Sequence, residues 1–303
     1  MTKSTITQSQ KRFEESVGKL FTLSASNLHQ CVFITSSTDT GVIRNGGRNG
    51  ARFAPRAFLS TFKKFSLVEK LNQYRFSCIE VGNFEEEEKD FNHAQEQEAA
   101  RIKEIIHSNS SSTFIHIGGG HDHIYPLMMA LSTTFQKLVV INVDAHADTR
   151  TDLEHHSGTP FRQFGDKFPG KLSLFQIGLN SFANSFSTLE PINETKINIL
   201  WAHQLNSENL KNLFNEIQKQ IDEKTAVIFS LDSDALSGEI VPGVSAVNPK
   251  GLTLSQLNEI WGHYRNLKLT HKPIVGIYEL NPVYDTLAGL SMRTIGSFVF
   301  DLL

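Results

Sequence analysis

Eight short apolar runs set the terms for this chain. They are Cys31–Thr35, Phe76–Val81, Thr113–Ile117, Leu138–Val143, Leu172–Ile177, Ile197–Trp201, Ala226–Leu231 and Ile274–Tyr278. They are rich in Val, Ile and Phe and show little alternation, which suits strands covered on both faces, as in a parallel sheet. Helical patterns fall between them: Ala94–Ser108, Ser207–Ile221, Thr253–Arg265 and a last helix from about Asp285 to Leu302. In the second of these, Leu210, Leu213, Phe214 and Ile217 recur at helical spacing. Asn206 is placed to cap it, with Leu205 and Leu210 at the two positions of a hydrophobic staple. Strand and helix alternating along nearly the whole length predicts a single-domain, three-layer α/β/α fold around a mainly parallel, doubly wound sheet. The one charge run, Glu85–Asp90, reads as a solvated loop before a helix.

Composition removes several alternatives. The chain has 303 residues, 39% apolar and 20% charged, which is ordinary globular usage. No stretch approaches the ~20 apolar residues of a membrane span. Met1 to Lys11 is polar and lacks the apolar core of a secretory signal. With 29 basic and 32 acidic residues the net charge is −3, so neither nucleic acid nor an anionic membrane is an expected partner. Cys31 and Cys78 are the only cysteines. They cannot build a disulfide-rich scaffold or a four-thiolate zinc site, which predicts a reducing, cytoplasmic setting.

In doubly wound sheets ligands bind outside the carboxyl ends of the strands. Three of the predicted strand ends carry acid and imidazole. Gly118-Gly119-Gly120-His121-Asp122-His123 follows one, Asp144-Ala145-His146-Ala147-Asp148 another, and Asp232-Ser233-Asp234 a third. Residues i and i+2 point to one side while the chain stays extended. So many carboxylates and imidazoles at one rim repel, or are costly to desolvate, unless a cation sits among them. A mixed Asp/His set without cysteine suits Mn2+, Mg2+, Fe2+ or Zn2+. Four carboxylates among six ligands suggest two divalent ions about 3.5–4 Å apart that acidify a shared water. His116 lies inside a strand and reads as a satisfied core histidine. His123 fits no ligand spacing and reads as a supporting or surface residue.

These strings resemble the ureohydrolase family of arginases, agmatinases and formimidoylglutamases. Gly46-Gly47-Arg48-Asn49-Gly50-Ala51-Arg52-Phe53-Ala54-Pro55-Arg56 and Glu279-Leu280-Asn281-Pro282 extend the resemblance, which runs from about residue 41 to 300. Residues 41–303 are accordingly expected to form the catalytic domain, with 1–40 an N-terminal strand and helix segment of the same domain. The resemblance implies two Mn2+ per subunit, held by His121, Asp144, His146, Asp148, Asp232 and Asp234. It implies hydrolysis of an amidino or guanidino C–N bond in a small molecule, and a homotrimer or homohexamer. Glu279 matches the glutamate that faces the substrate's cationic nitrogens. A planar amidinium can pair with a carboxylate through two parallel hydrogen bonds.

Within the family, three features resemble the formimidoylglutamase branch, whose substrate carries two carboxylates. Arg150 stands two residues beyond Asp148, and arginine can clamp a carboxylate bidentately. Ser181 and Ala183 stand in Ile177–Ala183, near Asn180, where arginases and agmatinases place aspartates for an amino group. The segments His156–Gln163 and Pro242–Ala246 look most like that branch, and Arg162 offers a second cation. Asp148 is the expected proton acceptor and general acid. His156 is a candidate proton shuttle, although Ser157 holds the position where the relatives place that histidine. The expected reaction is N-formimidoyl-L-glutamate plus water to L-glutamate plus formamide, with arginase, agmatinase or other guanidino-acid hydrolysis as the alternative. A non-catalytic member and a deacetylase-type binuclear hydrolase are the more distant readings.

Overall fold

The computed structural model describes residues 7–303. The first six residues of the polar N-terminal segment lie outside the described residues. All eight apolar runs are strands: β1 (His29–Thr35), β2 (Tyr74–Glu80), β3 (Thr113–Ile117), β4 (Lys137–Val143), β5 (Leu172–Leu179), β6 (Lys196–Trp201), β7 (Thr225–Asp232) and β8 (Ile274–Tyr278). They form one sheet in the order β2-β1-β3-β8-β7-β4-β5-β6, and every pairing in it is parallel. β1, from the N-terminal segment, is paired on both sides and is not an appendage.

Ten α-helices accompany the sheet among the described residues. They are α1 (Gln8–Glu14), α2 (Thr40–Arg44), α3 (Ala54–Phe62), α4 (Phe84–Lys89), α5 (Phe91–Ser108), α6 (Ile124–Leu131), α7 (Pro160–Lys167), α8 (Ser207–Gln218), α9 (Leu254–Arg265) and α10 (Leu290–Leu302). The lack of alternation in the strands has a direct cause. Phe33, Ile141 and Phe229 point into one core with α3, α8, α9 and α10. Their neighbours Val32, Val140 and Ile228 point into the other, with α5, α6 and α7. Asn206 caps α8 as expected, accepting the Asn209 N–H at 2.9 Å.

Two expectations fail locally. Glu85–Asp90 is not a loop, since α4 occupies Phe84–Lys89. Asn83 accepts the Glu86 N–H at 3.3 Å, and acids fill the first turn, where the helix dipole favours them. Glu87 faces inward and is buried. The last helix starts at Leu290, not near Asp285. Asp285 stands outside it and accepts the Ser291 N–H at 3.0 Å, while Gly289 turns with φ 67°.

The sheet order puts β3, β8, β7 and β4 side by side at the centre. Their carboxyl ends deliver the chemistry-bearing loops to one rim. At Gly119 the loop after β3 passes so close to the chain that an added Cβ would lie 1.7 Å from the Thr38 carbonyl oxygen. Gly119→Ala is therefore expected to cost about 1–3 kcal/mol through forced backbone movement. Denaturant titration measures this, and an unchanged midpoint would refute the close approach.

Candidate metal centre and active site

The residues after β4 and β7 use the same local device. Asp144 Oδ1 accepts the His146 N–H at 2.7 Å, and Asp232 Oδ1 accepts the Asp234 N–H at 2.9 Å. An aspartate bonded to the backbone two residues on bends the chain at the strand end. It also holds the alternate side chains at the rim. Asp148 completes its loop with φ 53°, a left-handed conformation costly for a residue with a Cβ. Glu279, directly after β8, has φ 62°. Its N–H donates to the Gly119 carbonyl at 2.8 Å, and its Oε1 accepts the His121 N–H at 3.0 Å. The loops after β3 and β8 thus fix each other.

Six side chains gather in two groups. His121, Asp144, Asp148 and Asp232 form one, and Asp144, His146 and Asp234 the other, so Asp144 belongs to both. His121 Nδ1 lies 3.1 Å from Asp144 Oδ2, 3.0 Å from Asp148 Oδ2 and 3.0 Å from Asp232 Oδ2. One N–H cannot serve three carboxylates. Ligand atoms about 3.0 Å apart are, however, what adjacent positions of an octahedral cation at about 2.1 Å require. His146 Nδ1 lies 3.4 Å from Asp234 Oδ1 and 3.8 Å from Asp144 Oδ1. Asp234 Oδ1 is buried and accepts no hydrogen bond. The donor set is hard oxygen plus imidazole, and it fits a pair of divalent cations.

The electrostatics carry the same demand. Burial, then Asp234 and Asp144, raises the Asp232 carboxyl well above its ordinary range. Burial and Asp144 raise Asp148. Asp234 raises His146 to about 11. Burial and Asp234 push Glu279 up to about 8. Neighbouring negative charge contributes to every one of these shifts, and a divalent cation would relieve it.

Supporting contacts hold the donors in place. His121 Nε2 is 2.9 Å from Ser230 Oγ, and the ring stacks on Tyr278 at 5.0 Å between centroids. Asn142 donates to Asp144 Oδ2 at 3.1 Å. Asn184 accepts the Ala147 N–H at 2.8 Å and donates to the Ala145 carbonyl at 2.9 Å. His116 is a satisfied core histidine, bonded to Ser36 and Tyr278. His123 is fully buried, so a surface position is excluded.

A cavity of about 280 Å3 adjoins these groups and is lined by His146, Asp148, Asp232, Asp234 and Glu279. Arg48, Arg150, Asn45, Ser245 and Asn184 also line it. Arg150 donates to Asn45 Oδ1 at 2.9 Å. Arg48 donates to the Ser245 carbonyl at 3.0 Å and to the Val244 carbonyl, with its guanidinium over the Tyr284 ring. Among the described residues neither arginine has a carboxylate partner. Arg48 and Asn184 are cavity residues that sequence reasoning missed. For Arg48 the signal was present, a charged residue inside a glycine-rich motif with no acid beside it.

Three sequence-predicted residues stand elsewhere. Arg162 spends its guanidinium on the carbonyls of Thr149 at 2.8 Å and Glu190 at 2.7 Å, and braces the loop after Asp148 instead of entering the cavity. The Asn180 side chain donates to Asn248 at 3.2 Å and only its backbone carbonyl accepts from Asn184, at 2.9 Å, so the side chain is not part of the cavity lining. His156 is engaged at both ring nitrogens. Nε2 lies 2.8 Å from Asp152 Oδ2, and Nδ1 accepts the Gly158 N–H at 3.0 Å. Ser157, not His156, reaches the cavity lining.

A parallel α/β sheet with a cation-demanding cage at its carboxyl rim defines the class of site. Comparison with known proteins agrees. The Arginase family model matches residues 29–303. Formimidoylglutamase of Staphylococcus aureus (strain MRSA252) is 32% identical over 254 residues, covering 82% of this chain and 78% of that protein. Formimidoylglutamase from Bacillus subtilis subsp. subtilis str. 168 superposes with a TM-score of 0.80 at 19% identity, covering 92% of this chain and 88% of the other. Formiminoglutamase from Trypanosoma cruzi with Mn2+2 gives 0.73 at 21% identity, covering 93% and 95%. The chain belongs to the arginase family.

Because Asp144 serves both groups, Asp144→Asn is expected to lower bound Mn2+ by about two ions per chain. Metal analysis after equilibrium dialysis reads this directly. Uptake equal to wild type would dissolve the proposed pair.

Proposed function

We propose that this chain is a formimidoylglutamase, hydrolysing N-formimidoyl-L-glutamate to L-glutamate and formamide. The observation that carries this reading is the polarity of the cavity. Asp148, Asp232, Asp234, Glu279 and the His146 imidazole line it together with Arg48 and Arg150, which have no carboxylate partners among the described residues. An amidine bearing two carboxylates matches that pattern. A substrate with a free cationic amino group, such as arginine or agmatine, does not. The sequence relative named for this activity and the shared fold support the same reading. Cys31 and Cys78 are both free thiols, which fits a reducing cytoplasm. Among the described residues no helix is long and apolar enough to cross a membrane.

His121, Asp144, His146, Asp148, Asp232 and Asp234 are the proposed ligands of two Mn2+. When bound, the ions supply positive charge at the reacting carbon and lower the pKa of water so that it attacks near neutral pH. The chain's own residues do the rest. Glu279 lines the cavity with its backbone locked to Gly119 and its Oε1 to the His121 N–H. It holds the amidinium in line for attack, a gain in position and in charge stabilisation together. Arg48 and Arg150 take the carboxylates and so set the register of the C–N bond. Asp148 accepts a proton as water oxygen bonds to the amidine carbon. It returns a proton to the glutamate nitrogen as the C–N bond breaks. The oxygen leaves in formamide and the amine in glutamate. Ser157 lines the same cavity and offers a hydroxyl beside this path, whereas His156 is tied to Asp152.

A panel of amidino and guanidino compounds assayed with Mn2+ tests the substrate. Formimidoylglutamate is expected to exceed arginine, agmatine and guanidinobutyrate in kcat/KM by about 100-fold or more, the scale of two charge-assisted bonds. A preference for any cationic amine would overturn the reading. Zero turnover across the panel would favour a non-catalytic member.

Individual residues give sharper outcomes. Arg48→Ala and Arg150→Ala should each raise KM about 10–100-fold, with kcat less affected. An unchanged KM would remove that arginine from the substrate. Asp148→Asn should lower kcat about 100-fold or more. Near-normal turnover with metal bound would exclude Asp148 from proton transfer.

A further inference from the structure

Beside the metal centre, on the other side of the turn that carries His121, lies a second buried group. Glu87 comes from α4, and Asp122 and His123 from the short turn His121–His123. None is more than 1% exposed. One ligand atom from each lies within 4.8 Å of the others. His123 Nε2 stands 3.9 Å from Glu87 Oε1 and 3.9 Å from Asp122 Oδ2. All four carboxylate oxygens of Glu87 and Asp122 are buried without a hydrogen-bond partner. No lysine or arginine neutralises either acid among the described residues, and His123 is the base that stands between them.

A buried carboxylate without partners is among the costliest groups a fold can carry. A shared proton does not resolve it. Burial pushes Glu87 up to about 7, yet a protonated acid must still donate to something. Neither carboxyl makes a hydrogen bond in the structure. A cation among the three side chains would take an oxygen from each acid together with the imidazole nitrogen.

The orientation of His123 fits that role. Its Nδ1 lies 3.0 Å from Glu98 Oε2 and 3.1 Å from Oε1. A carboxylate on one ring nitrogen fixes the tautomer and presents the other as a metal donor. That other nitrogen, Nε2, is the one facing Glu87 and Asp122. Nε2 is hydrogen-bonded to Thr38 Oγ1 at 2.8 Å, a contact the ion would replace.

We propose that Glu87, Asp122 and His123 form a separate cation site that takes one divalent ion of the Mn2+ or Zn2+ type. Two carboxylates and an imidazole are a donor set such ions accept. The ion ties α4 to the turn bearing His121, whose N–H holds Glu279 in place. It stabilises that turn and takes no part in the chemistry. The site uses none of the six residues of the pair, so it stands or falls independently of them.

Two measurements on the full chain test it. In equilibrium dialysis against Mn2+ alone, wild type is expected to take up about three ions per chain and Glu87→Gln about two. Asp144→Asn, which disturbs only the pair, should retain about one. Equal uptake by Glu87→Gln and wild type would overturn the proposal, whereas equal uptake by Asp144→Asn would overturn the pair instead. If Glu87→Gln fails to fold, wild-type crystals grown with Mn2+ decide the matter through anomalous scattering. A peak between Glu87, Asp122 and His123 supports the site, and its absence at saturating Mn2+ refutes it.

Discussion

Repulsion among like charges at the carboxyl rim of the sheet is the constraint from which the rest of this structure follows. Asp144, Asp148, Asp232, Asp234 and Glu279 converge where four central strands end. Without a counter-charge they would spread apart or hold protons, as the raised carboxyl groups of Asp148, Asp232 and Glu279 indicate. The scaffold prevents the first outcome. β3 pairs with β8 and β7 with β4, so the loops cannot separate without breaking the middle of the sheet. Divalent cations relieve the second.

Holding the rim together has local costs. Asp148 and Glu279 both sit at positive φ, in conformations that side chains with a Cβ seldom adopt. Those strains are sustained by surrounding bonds: Gly119 carbonyl to Glu279, Glu279 to the His121 N–H, Arg162 to the Thr149 carbonyl. The glycine run before His121 belongs to the same arrangement, because at Gly119 only hydrogen fits against Thr38. Strain, glycine and bracing arginine are parts of one device that keeps five acids within reach of the same small space.

Much of this was legible in the sequence because the signals are short-range. The strands announced themselves as runs without alternation, since the six inner ones are covered on both faces while the edge strands β2 and β6 are partly exposed. The rim acids and histidines were legible because their spacing of two is set by the strand period and by the aspartate turns that follow. What escaped depends on long-range packing. Arg162 has the right charge for a carboxylate clamp, but the segment Glu190–Pro191 folds over it and takes its donors. His156 is the exception, a short-range miss, drawn to Asp152 four residues away. Arg48 lines the cavity because residues 244–245, nearly two hundred positions later, supply the carbonyls that steer it. The run Glu85–Asp90 is solvated for the most part, but its helical form and the inward turn of Glu87 escaped because nothing local shows them.

Paramagnetic resonance of the Mn2+-loaded protein tests the caged pair most directly. Two ions sharing Asp144 are close enough to couple their spins, and the account predicts an exchange-coupled spectrum that is lost when that aspartate is replaced. A spectrum of isolated ions alone, at full occupancy, would contradict it.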